Sequence, residues 1–335
     1  MKTPVHIAIL GATGAVGVEA LKTLEKRNFA VRKLTLLASE RSAGKKLRFR
    51  GKQTVVRQVT PTSFEGVQIA IFSAGASRSR EFAPHAVKAG AIVVDNSSAY
   101  RMDPAVPLVV TEVNAADIKN HMGIIANPNC SAMIMAVALW PLHQKARIRR
   151  IVVSTYQSAS GAGARAMAEL ETQTRDVLAG RKLKKEVFSH QIAFNVFSHN
   201  TKIAENGYNE EENKIIEETR KIFHEPELAI CPTCIRVPVF RAHAESILIE
   251  TGQKVEADEA RAILQGAPGV RVLDDRIGNH FPMPIEASGR DEVLVGRIRE
   301  DHSAPNGLAL FISGDQLLKG AALNAVQIAE LLCKL

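Results

Sequence analysis

The sequence of 335 residues has few cysteines, few of the larger aromatic residues and no long apolar run. Its 4 Cys are too sparse for a disulfide-stabilised secreted domain and are typical of a protein from a reducing compartment, so we expect the cytoplasm. The longest apolar stretch, residues 132–142, is shorter than the roughly 20 residues that a membrane-spanning helix needs. We therefore expect no membrane segment, and the glycine-rich start of the chain does not resemble a secretory signal.

The positive charge is concentrated near the N-terminus. The formal net charge is +8, and residues 1–60 alone hold 13 basic and 3 acidic residues. Such an asymmetry indicates an anionic ligand. Nucleic acid is one interpretation, but the chain has 1 Trp, 3 Tyr and no zinc-finger or helix–turn–helix signature. A small phosphorylated ligand explains the charge at least as well, and we expect no nucleic-acid partner.

Short apolar runs alternate with helical patterns over the first part of the chain. The pattern predicts strands at 5–10, 34–38, 67–72 and 91–94, a hairpin around residue 51, and a helix over 78–88. This alternation is typical of a doubly wound, Rossmann-type parallel sheet, which we assign to residues 1–129. Strands outnumber helices over 130–315, including one expected at 235–240, which predicts a second α+β domain with a mainly antiparallel sheet. A last helix over 316–335 is expected to pack back on the first domain.

A glycine motif follows the first predicted strand. Gly11, Gly14 and Gly17 are spaced G-x-x-G-x-x-G, which differs from the G-x-G-x-x-G dinucleotide fingerprint. A strand before it and a helix after it would still place main-chain N–H groups against a pyrophosphate. The alternative is a tight strand–helix turn without a ligand.

The end of the second predicted strand selects the cofactor. Ser39, Arg41 and Ser42 are suited to a 2′-phosphate, which favours NADP. Glu40 favours NAD unless its side chain points to solvent. The alternative interpretation of Arg41 is a solvated charge in a loop.

Cys130 follows Asn127-Pro128-Asn129 at a predicted helix start. A helix N-terminus stabilises the nucleophilic thiolate, and the same N–H groups can stabilise an oxyanion. On composition alone, a buried and inert cysteine is the preferred alternative.

Two further segments carry chemistry-bearing residues. Arg236 and His243 are seven residues apart, so in one strand they would face opposite sides unless a turn intervenes. Histidine is the usual acid or base near neutral pH, although a structural histidine is the alternative. Cys231 and Cys234 have C-x-x-C spacing, but no second pair exists to complete a zinc site, and we expect no metal.

These segments and several others occur in an order that resembles the aspartate-semialdehyde dehydrogenase family over nearly the whole chain. The resemblance rests on residues 11–17, Ser73-Ala74-Gly75, Asp95 to Arg101, Asn127 to Cys130, Tyr156 to Gly161, Arg236 to His243 and Lys319 to Ala322. It implies that Cys130 is the nucleophile, that His243 is the acid or base, and that Gln157 orients the substrate.

The resemblance also implies the binding residues. For the substrates these are Arg236 at the α-carboxylate, Glu211 at the amino group, Arg101 and Lys214 at phosphate, and Asn129. For NADP they are Gly11, Thr13, Gly14, Ala15, Val16, Ser39, Arg41, Ser42, Ser73, Gly75, Ser160, Gly161 and Gln316. Without the family, Arg101 reads as a surface salt bridge, Gln157 as a hydrogen-bonded strand residue, and the acidic run at 210–212 as a solvated helix face.

The implied reaction is the reversible, NADP-dependent reductive dephosphorylation of 4-aspartyl phosphate to aspartate 4-semialdehyde through a cysteine thioester. It would serve lysine, threonine and methionine biosynthesis, and the family implies a homodimer. In the phosphorylating direction, His243 would take the proton as Cys130 attacks the aldehyde. The alternatives are N-acetyl-glutamyl-phosphate reductase chemistry and a non-catalytic NADP-binding paralogue. The joint presence of Cys130, Gln157, Arg236 and His243 argues against the second alternative.

Overall fold

A computed structural model describes residues 4–334, which form two compact units. The first unit comprises residues 4–129 together with 320–334, and the second comprises residues 130–319. Each unit is built around a seven-stranded sheet. Within residues 4–334, no helix is long and apolar enough to cross a membrane.

The first unit contains a mostly parallel sheet. Its strands and helices up to residue 129 are β1 (Val5–Leu10), α1 (Ala15–Lys26), β2 (Val31–Ala38), β3 (Lys46–Phe49), β4 (Lys52–Gln58), β5 (Ile69–Phe72), α2 (Ala76–Lys88), β6 (Ile92–Asp95) and β7 (Ile124–Ala126). The strand order is β3-β4-β2-β1-β5-β6-β7, and only the β3–β4 hairpin is antiparallel. The predicted Rossmann-type sheet is confirmed, as is the hairpin around Gly51.

β1 is buried on both faces, which explains its uninterrupted apolar sequence. Ile7 and Ile9 belong to the apolar cluster that includes α1, whereas Ala8 and Leu10 belong to the cluster that includes α2. Because β2 and β5 flank β1, the strand order reverses at β1. Ligands of doubly wound sheets bind in the crevice at the carboxyl ends of such strands.

The second unit contains a mixed sheet with helices packed on one face. Its elements are α3 (Cys130–Ala146), β8 (Ile148–Gln157), α4 (Ala164–Leu178), β9 (Phe197–Ser198), α5 (Glu210–Phe223), β10 (Ala229–Arg236), β11 (His243–Thr251), α6 (Ala257–Gln265), β12 (Val270–Val272), α7 (Pro284–Ala287), β13 (Val293–Asp301) and β14 (Gly307–Gly314). The strand order is β12-β13-β14-β11-β8-β10-β9. Only the β12–β13 and β8–β10 pairs are parallel, so the sheet is mainly antiparallel as predicted.

The strand expected at 235–240 is wrong, because β10 ends at Arg236. Pro238 has no N–H with which to continue a ladder. Ala242, which closes the loop, has a positive φ of 71°. The loop lets β10 and β11 lie on either side of β8, and this brings Arg236 and His243 to the same end of the sheet.

The helix expected over 316–335 is shorter than predicted. The helix α8 spans Leu323–Leu332 and follows a π-helical turn at residues 318–322, while Leu335 lies outside the described residues. One carboxylate oxygen of Asp315 accepts the N–H groups of Leu317 and Leu318, which caps the start of the helical segment at residue 318. Ala325, Val326, Ile328 and Ala329 of α8 join the apolar cluster around α1 in the first unit.

Candidate active site

The turn between β1 and α1 is built for close main-chain contact. A Cβ on Gly11 would lie 2.4 Å from the carbonyl oxygen of Ser73, and one on Gly17 would lie 2.2 Å from that of Gly11. The helix α1 has Gly14 as its N-cap, with no side-chain cap and no acidic residue in its first turn. Its N-terminus therefore offers N–H donors and a positive dipole end to an anion. This geometry fits a dinucleotide pyrophosphate.

The segment after β2 forms a short 3₁₀ turn at residues 40–42, with Ser39 as its N-cap. Ser39, Glu40 and Arg41 are exposed, while Ser42 is buried. Within the described part of the chain, the Arg41 side chain has no hydrogen-bond or ion-pair partner. The Arg41 guanidinium, with Ser39 and Ser42 close by in the sequence, suits a phosphate group. The Glu40 carboxylate is exposed, so water can solvate it and it does not need a ribose hydroxyl as a partner.

Arg101 is buried rather than part of a surface salt bridge. Its Nε donates to the carbonyl oxygen of Asn127 at 2.9 Å, and its Nη2 donates to that of Asn96 at 2.8 Å. The side-chain amide of Asn127 donates in turn to Asn96 Oδ1 at 2.8 Å. Arg101 thus holds the segment that leads through the buried Asn129 to Cys130.

Cys130 is the first residue of α3, as predicted, and the first turn of this helix has no acidic residue. The hydroxyl of Ser131, the next residue, accepts a hydrogen bond of 2.9 Å from the Gln157 amide at the end of β8. The same amide nitrogen lies 3.5 Å from Glu211 Oε1. Gln157 is only 1 % exposed, so its amide is held in place rather than solvated.

The N-terminal turn of α5 contains Glu210, Glu211 and Glu212, and their contacts show which of the three lies beside Gln157. Glu212 forms a capping box with Asn209 and accepts the main-chain N–H of Cys234, while Glu210 is exposed. Glu211 is buried and pairs with Lys214 at 3.3 Å. Its carboxylate is therefore the one that contacts the Gln157 amide.

Arg236 and His243 converge on Gly161. A Cβ on Gly161 would lie 3.0 Å from Arg236 Nη1, 3.1 Å from His243 Cε1 and 3.2 Å from His243 Nε2. Arg236 Nη1 donates to the carbonyl oxygen of Ser158, and its buried Nε has no partner within residues 4–334. Burial lowers the pKa of Arg236, while the charges of Glu211 and Cys130 counteract this effect. An arginine with an unsatisfied buried N–H is suited to an anionic ligand.

His243 is fully buried, and its ring nitrogens have different surroundings. Nδ1 accepts the main-chain N–H of Ser158 at 3.0 Å and lies 3.1 Å from Ser158 Oγ, whereas Nε2 has no partner in the described chain. Burial and, next, the charge of Arg236 lower the pKa of His243 to about 3. His199 lies among the same charged groups, and burial followed by Arg236 lowers its pKa to about 4.

Two residues expected at the cofactor are joined within the second unit. The Gln316 amide nitrogen donates to Ser160 Oγ, and its oxygen accepts the main-chain N–H of Ala242 at 2.8 Å. Ser160 Oγ lies 3.0 Å from Ser158 Oγ. Ser131, Ser158 and His199 were not identified from the sequence. Ser158 lies inside the segment 156–161 that resembles the family, whereas nothing local distinguishes Ser131 or His199.

Cys231 and Cys234 do not form a paired site. They lie within β10, and Cys231 is exposed while Cys234 is buried. Burial raises the pKa of Cys234 far above its ordinary value. Within residues 4–334, no group of three or more His, Cys, Asp or Glu side chains is arranged to hold a metal ion.

The two units carry the features of an NAD(P)-dependent oxidoreductase that acts through a thiol. The semialdehyde dehydrogenase NAD-binding domain matches residues 6–121, and the semialdehyde dehydrogenase dimerisation domain matches residues 139–319. The class of protein is therefore that of the semialdehyde dehydrogenases.

Comparison with named relatives identifies the family within this class. The chain is 53% identical to an aspartate-semialdehyde dehydrogenase of Synechocystis sp., covering 99% of this chain and 98% of the relative. It is 54% identical to that of Aquifex aeolicus, covering 98% of each chain. The crystal structure of aspartate semialdehyde dehydrogenase II complexed with ASA from Vibrio cholerae is 45% identical, covers 99% of both chains and has a TM-score of 0.97. The chain belongs to the aspartate-semialdehyde dehydrogenase family.

Proposed function

We propose that this protein interconverts 4-aspartyl phosphate and aspartate 4-semialdehyde, with NADP(H) as the redox partner and a Cys130 thioester as the intermediate. The observation that carries the proposal is the convergence of Gln157, Glu211, Arg236 and His243 around the start of the helix that Cys130 begins. The extensive similarity to aspartate-semialdehyde dehydrogenases supports the same substrate. Such an activity belongs to the biosynthesis of lysine, threonine and methionine.

Each side chain of the site has a role in the reaction that follows from its chemistry. Cys130, at the positive end of α3, supplies the thiolate that bonds to the aldehyde carbon. The Gln157 amide, fixed by Ser131 and Glu211, orients the substrate. We assign the contact with the carbonyl oxygen to His243. A nicotinamide bound here would supply the hydride acceptor for the thiohemiacetal, and phosphate would release the acyl group from Cys130.

The substrate is a small zwitterion, which requires partners of both signs. The Arg236 guanidinium presents parallel N–H donors to the α-carboxylate. The buried carboxylate of Glu211 serves the amino group. We propose that Lys214 binds phosphate. By resemblance alone, we propose that Arg101 and Asn129 also contact the substrates.

We propose NADP rather than NAD as the cofactor, because β2 is followed by Ser39, Ser42 and an Arg41 side chain that has no partner within residues 4–334. The pyrophosphate would lie against Gly11, Gly14 and the N-terminus of α1. By resemblance, the other cofactor residues are Thr13, Ala15, Val16, Ser73, Gly75, Ser160, Gly161 and Gln316.

We also propose a homodimer formed through the open face of the second sheet. The face opposite α3 and α5 carries Val152, Tyr156, Ile235, Leu248 and Phe311. Tyr156 and Leu248 are each 37% exposed, and the Tyr156 ring lies 6.2 Å from that of Phe311. An apolar sheet face of this kind is stabilised by a partner surface. Sedimentation equilibrium should show a dimer, and Leu248→Glu should dissociate it. A monomeric wild-type protein would contradict this arrangement.

We propose a cytoplasmic location, since none of the four cysteines is paired in a disulfide and three are partly or fully accessible thiols.

The test of the proposed activity is NADPH formation with phosphate and each candidate semialdehyde in turn. Aspartate 4-semialdehyde should give phosphate-dependent turnover, and N-acetylglutamate semialdehyde should give little. Preference for the N-acetylated substrate would favour the alternative reductase chemistry, and no turnover with either would favour a non-catalytic paralogue.

A further inference from the structure

His199 lies on the face of the second sheet that carries the proposed substrate site. It directly follows β9, whose Phe197 pairs with Arg236, and its main-chain N–H donates to the carbonyl oxygen of Cys234 at 2.8 Å. Because alternate residues of a strand point to one face, the His199 side chain shares the face of Arg236 and Cys234. Burial agrees, since His199 is only 7% exposed while the preceding Ser198 is exposed. None of the roles proposed for the site involves this histidine.

The Nδ1 side of the His199 ring is held by Thr201 and, through it, by α5. Nδ1 lies 3.2 Å from Thr201 Oγ1, and the same oxygen accepts the main-chain N–H of Glu211 at 3.4 Å. A hydroxyl oxygen has two acceptor positions, so Thr201 can accept from both neighbours. In this arrangement His199 carries its proton on Nδ1 and has a lone pair on Nε2. The Thr201 hydroxyl also fixes the ring beside the helical turn that carries Glu211.

The Nε2 atom of His199 is available to a ligand. It has no hydrogen-bond partner within residues 4–334, and it is not completely buried. The charged groups that act on the ring are Arg236 of β10 and Glu211 and Lys214 of α5. Burial and, next, the charge of Arg236 lower the pKa of His199 to about 4, so the ring is neutral near pH 7.

The amino group of the proposed substrate needs more than one acceptor, because an ammonium carries three N–H donors. Glu211, the carboxylate assigned to it, already has the Gln157 amide 3.5 Å from Oε1 and the Lys214 ammonium 3.3 Å from Oε2. A neutral imidazole nitrogen supplies a further acceptor without adding a positive charge. A lysine or a protonated histidine at the same place would repel the substrate ammonium.

We propose that His199 is a further substrate-binding residue, whose Nε2 lone pair accepts a hydrogen bond from the substrate α-amino group and so selects semialdehydes that carry this group. The inference rests on the proposed function and gives the ammonium a second partner beside Glu211. Thr201 is the positioning residue, because its hydroxyl contacts both the His199 ring and the main chain of Glu211.

Steady-state kinetics with two semialdehydes test the proposal. Succinate semialdehyde is aspartate 4-semialdehyde without the amino group, so only the latter can use His199. His199→Asn keeps a polar atom near the Nδ1 position but ends short of Nε2, whereas the longer side chain of His199→Gln reaches it. In His199→Asn, kcat/KM for aspartate 4-semialdehyde should fall about tenfold or more, as for a hydrogen bond to a charged group, and that for succinate semialdehyde should change less than about twofold. His199→Gln should recover most of the loss.

The matched control is His190→Leu, since His190 is exposed in the same segment and its ring lies 5.5 Å from that of Phe197. This variant should leave kcat/KM for both semialdehydes unchanged. A folded His199→Asn that loses kcat/KM equally for both substrates, or for neither, would overturn the proposal. Thermal melting identifies a variant that fails to fold. In that event Thr201→Val tests the same point, because it removes the partner of Nδ1 and should cause a selective loss for aspartate 4-semialdehyde.

A binding measurement separates this proposal from the proposed activity. L-Aspartate and succinate differ by the same amino group, and a ligand in the site should protect Cys130 from iodoacetamide. L-Aspartate should protect the wild type at a lower concentration than succinate, and His199→Asn should reduce this advantage about tenfold. An advantage that is absent from the wild type, or unchanged in His199→Asn, would overturn the proposal whether or not the semialdehydes are turned over.

Discussion

Glu245 of β11 allows a quantitative prediction about stability. Its side chain is 0 % exposed, and neither carboxylate oxygen has a hydrogen-bond partner within residues 4–334. It lies on the same sheet face as His243, in a row with Thr155 and Cys234 on the neighbouring strands. Burial raises the pKa of Glu245 well above its ordinary value, so the folded protein holds this carboxyl as a neutral acid.

The sign of the pH dependence follows from the proton count. Above the ordinary carboxyl pKa the unfolded chain releases the Glu245 proton while the folded chain keeps it, so the free energy of unfolding falls as pH rises. The loss is about 1.4 kcal/mol per pH unit until the raised pKa is reached. Two pH units within this window therefore cost about 2.7 kcal/mol.

The perturbation is Glu245→Gln, which keeps the shape of the side chain and removes its ionisation. Urea unfolding at several pH values should show that the variant gains on the wild type by about 1.4 kcal/mol per pH unit above the ordinary carboxyl range. Glu217→Gln, an exposed residue of α5, is the matched control and should show no such gain. Parallel stability curves for wild type and Glu245→Gln would refute the assignment of a buried neutral acid.

Four changes test the proposed site. Cys130→Ala should abolish phosphate-dependent NADPH formation while NADP still binds, and iodoacetamide should label Cys130 before the other three cysteines; substantial turnover by this variant would rule out the thioester. Arg41→Ala removes a charge-assisted hydrogen bond of about 1.5–3 kcal/mol, so KM for NADP should rise about tenfold or more. Equal losses with NAD would show that Arg41 does not contact the 2′-phosphate. Arg236→Lys keeps the charge but loses the planar pair of donors, and both kcat and kcat/KM for the semialdehyde should fall while NADP affinity is kept. A variant that melts early yet keeps wild-type kcat/KM would return Arg236 to a supporting role. Gly161→Ala places a Cβ 3.0 Å from Arg236 Nη1, and it should lower kcat/KM without a comparable loss of melting temperature; unchanged kinetics would show that this space is not used.

Features that depend on neighbouring residues were predictable from the sequence. The positive φ of Gly11 and the close approach of Gly17 are requirements of one turn, and they appear as glycines at fixed spacing. The start of α3 at Cys130 follows from Asn127-Pro128-Asn129, because proline disfavours helix before it and asparagine is common at helix starts. Apolar runs buried on both faces likewise identify parallel strands from composition alone.

The functional geometry depended on contacts that sequence spacing does not contain. Arg236 and His243 meet because β10 and β11 both pair with β8, an arrangement of strands that are not consecutive in the chain. Among three adjacent glutamates, only packing of α5 selects Glu211 for the site and leaves Glu212 to cap the helix.

The sequence by itself determined the fold class, the glycine turn after β1 and the start of α3 at Cys130, because each follows from local backbone conformation or from the period of apolar residues. Tertiary structure alone decided the surroundings of the His243 ring, since the donor to its Nδ1 is a main-chain N–H of Ser158, 85 residues away along the chain. Every residue except proline carries such an N–H, so its side chain gives no signal, and only the fold places this donor against one nitrogen of a buried ring.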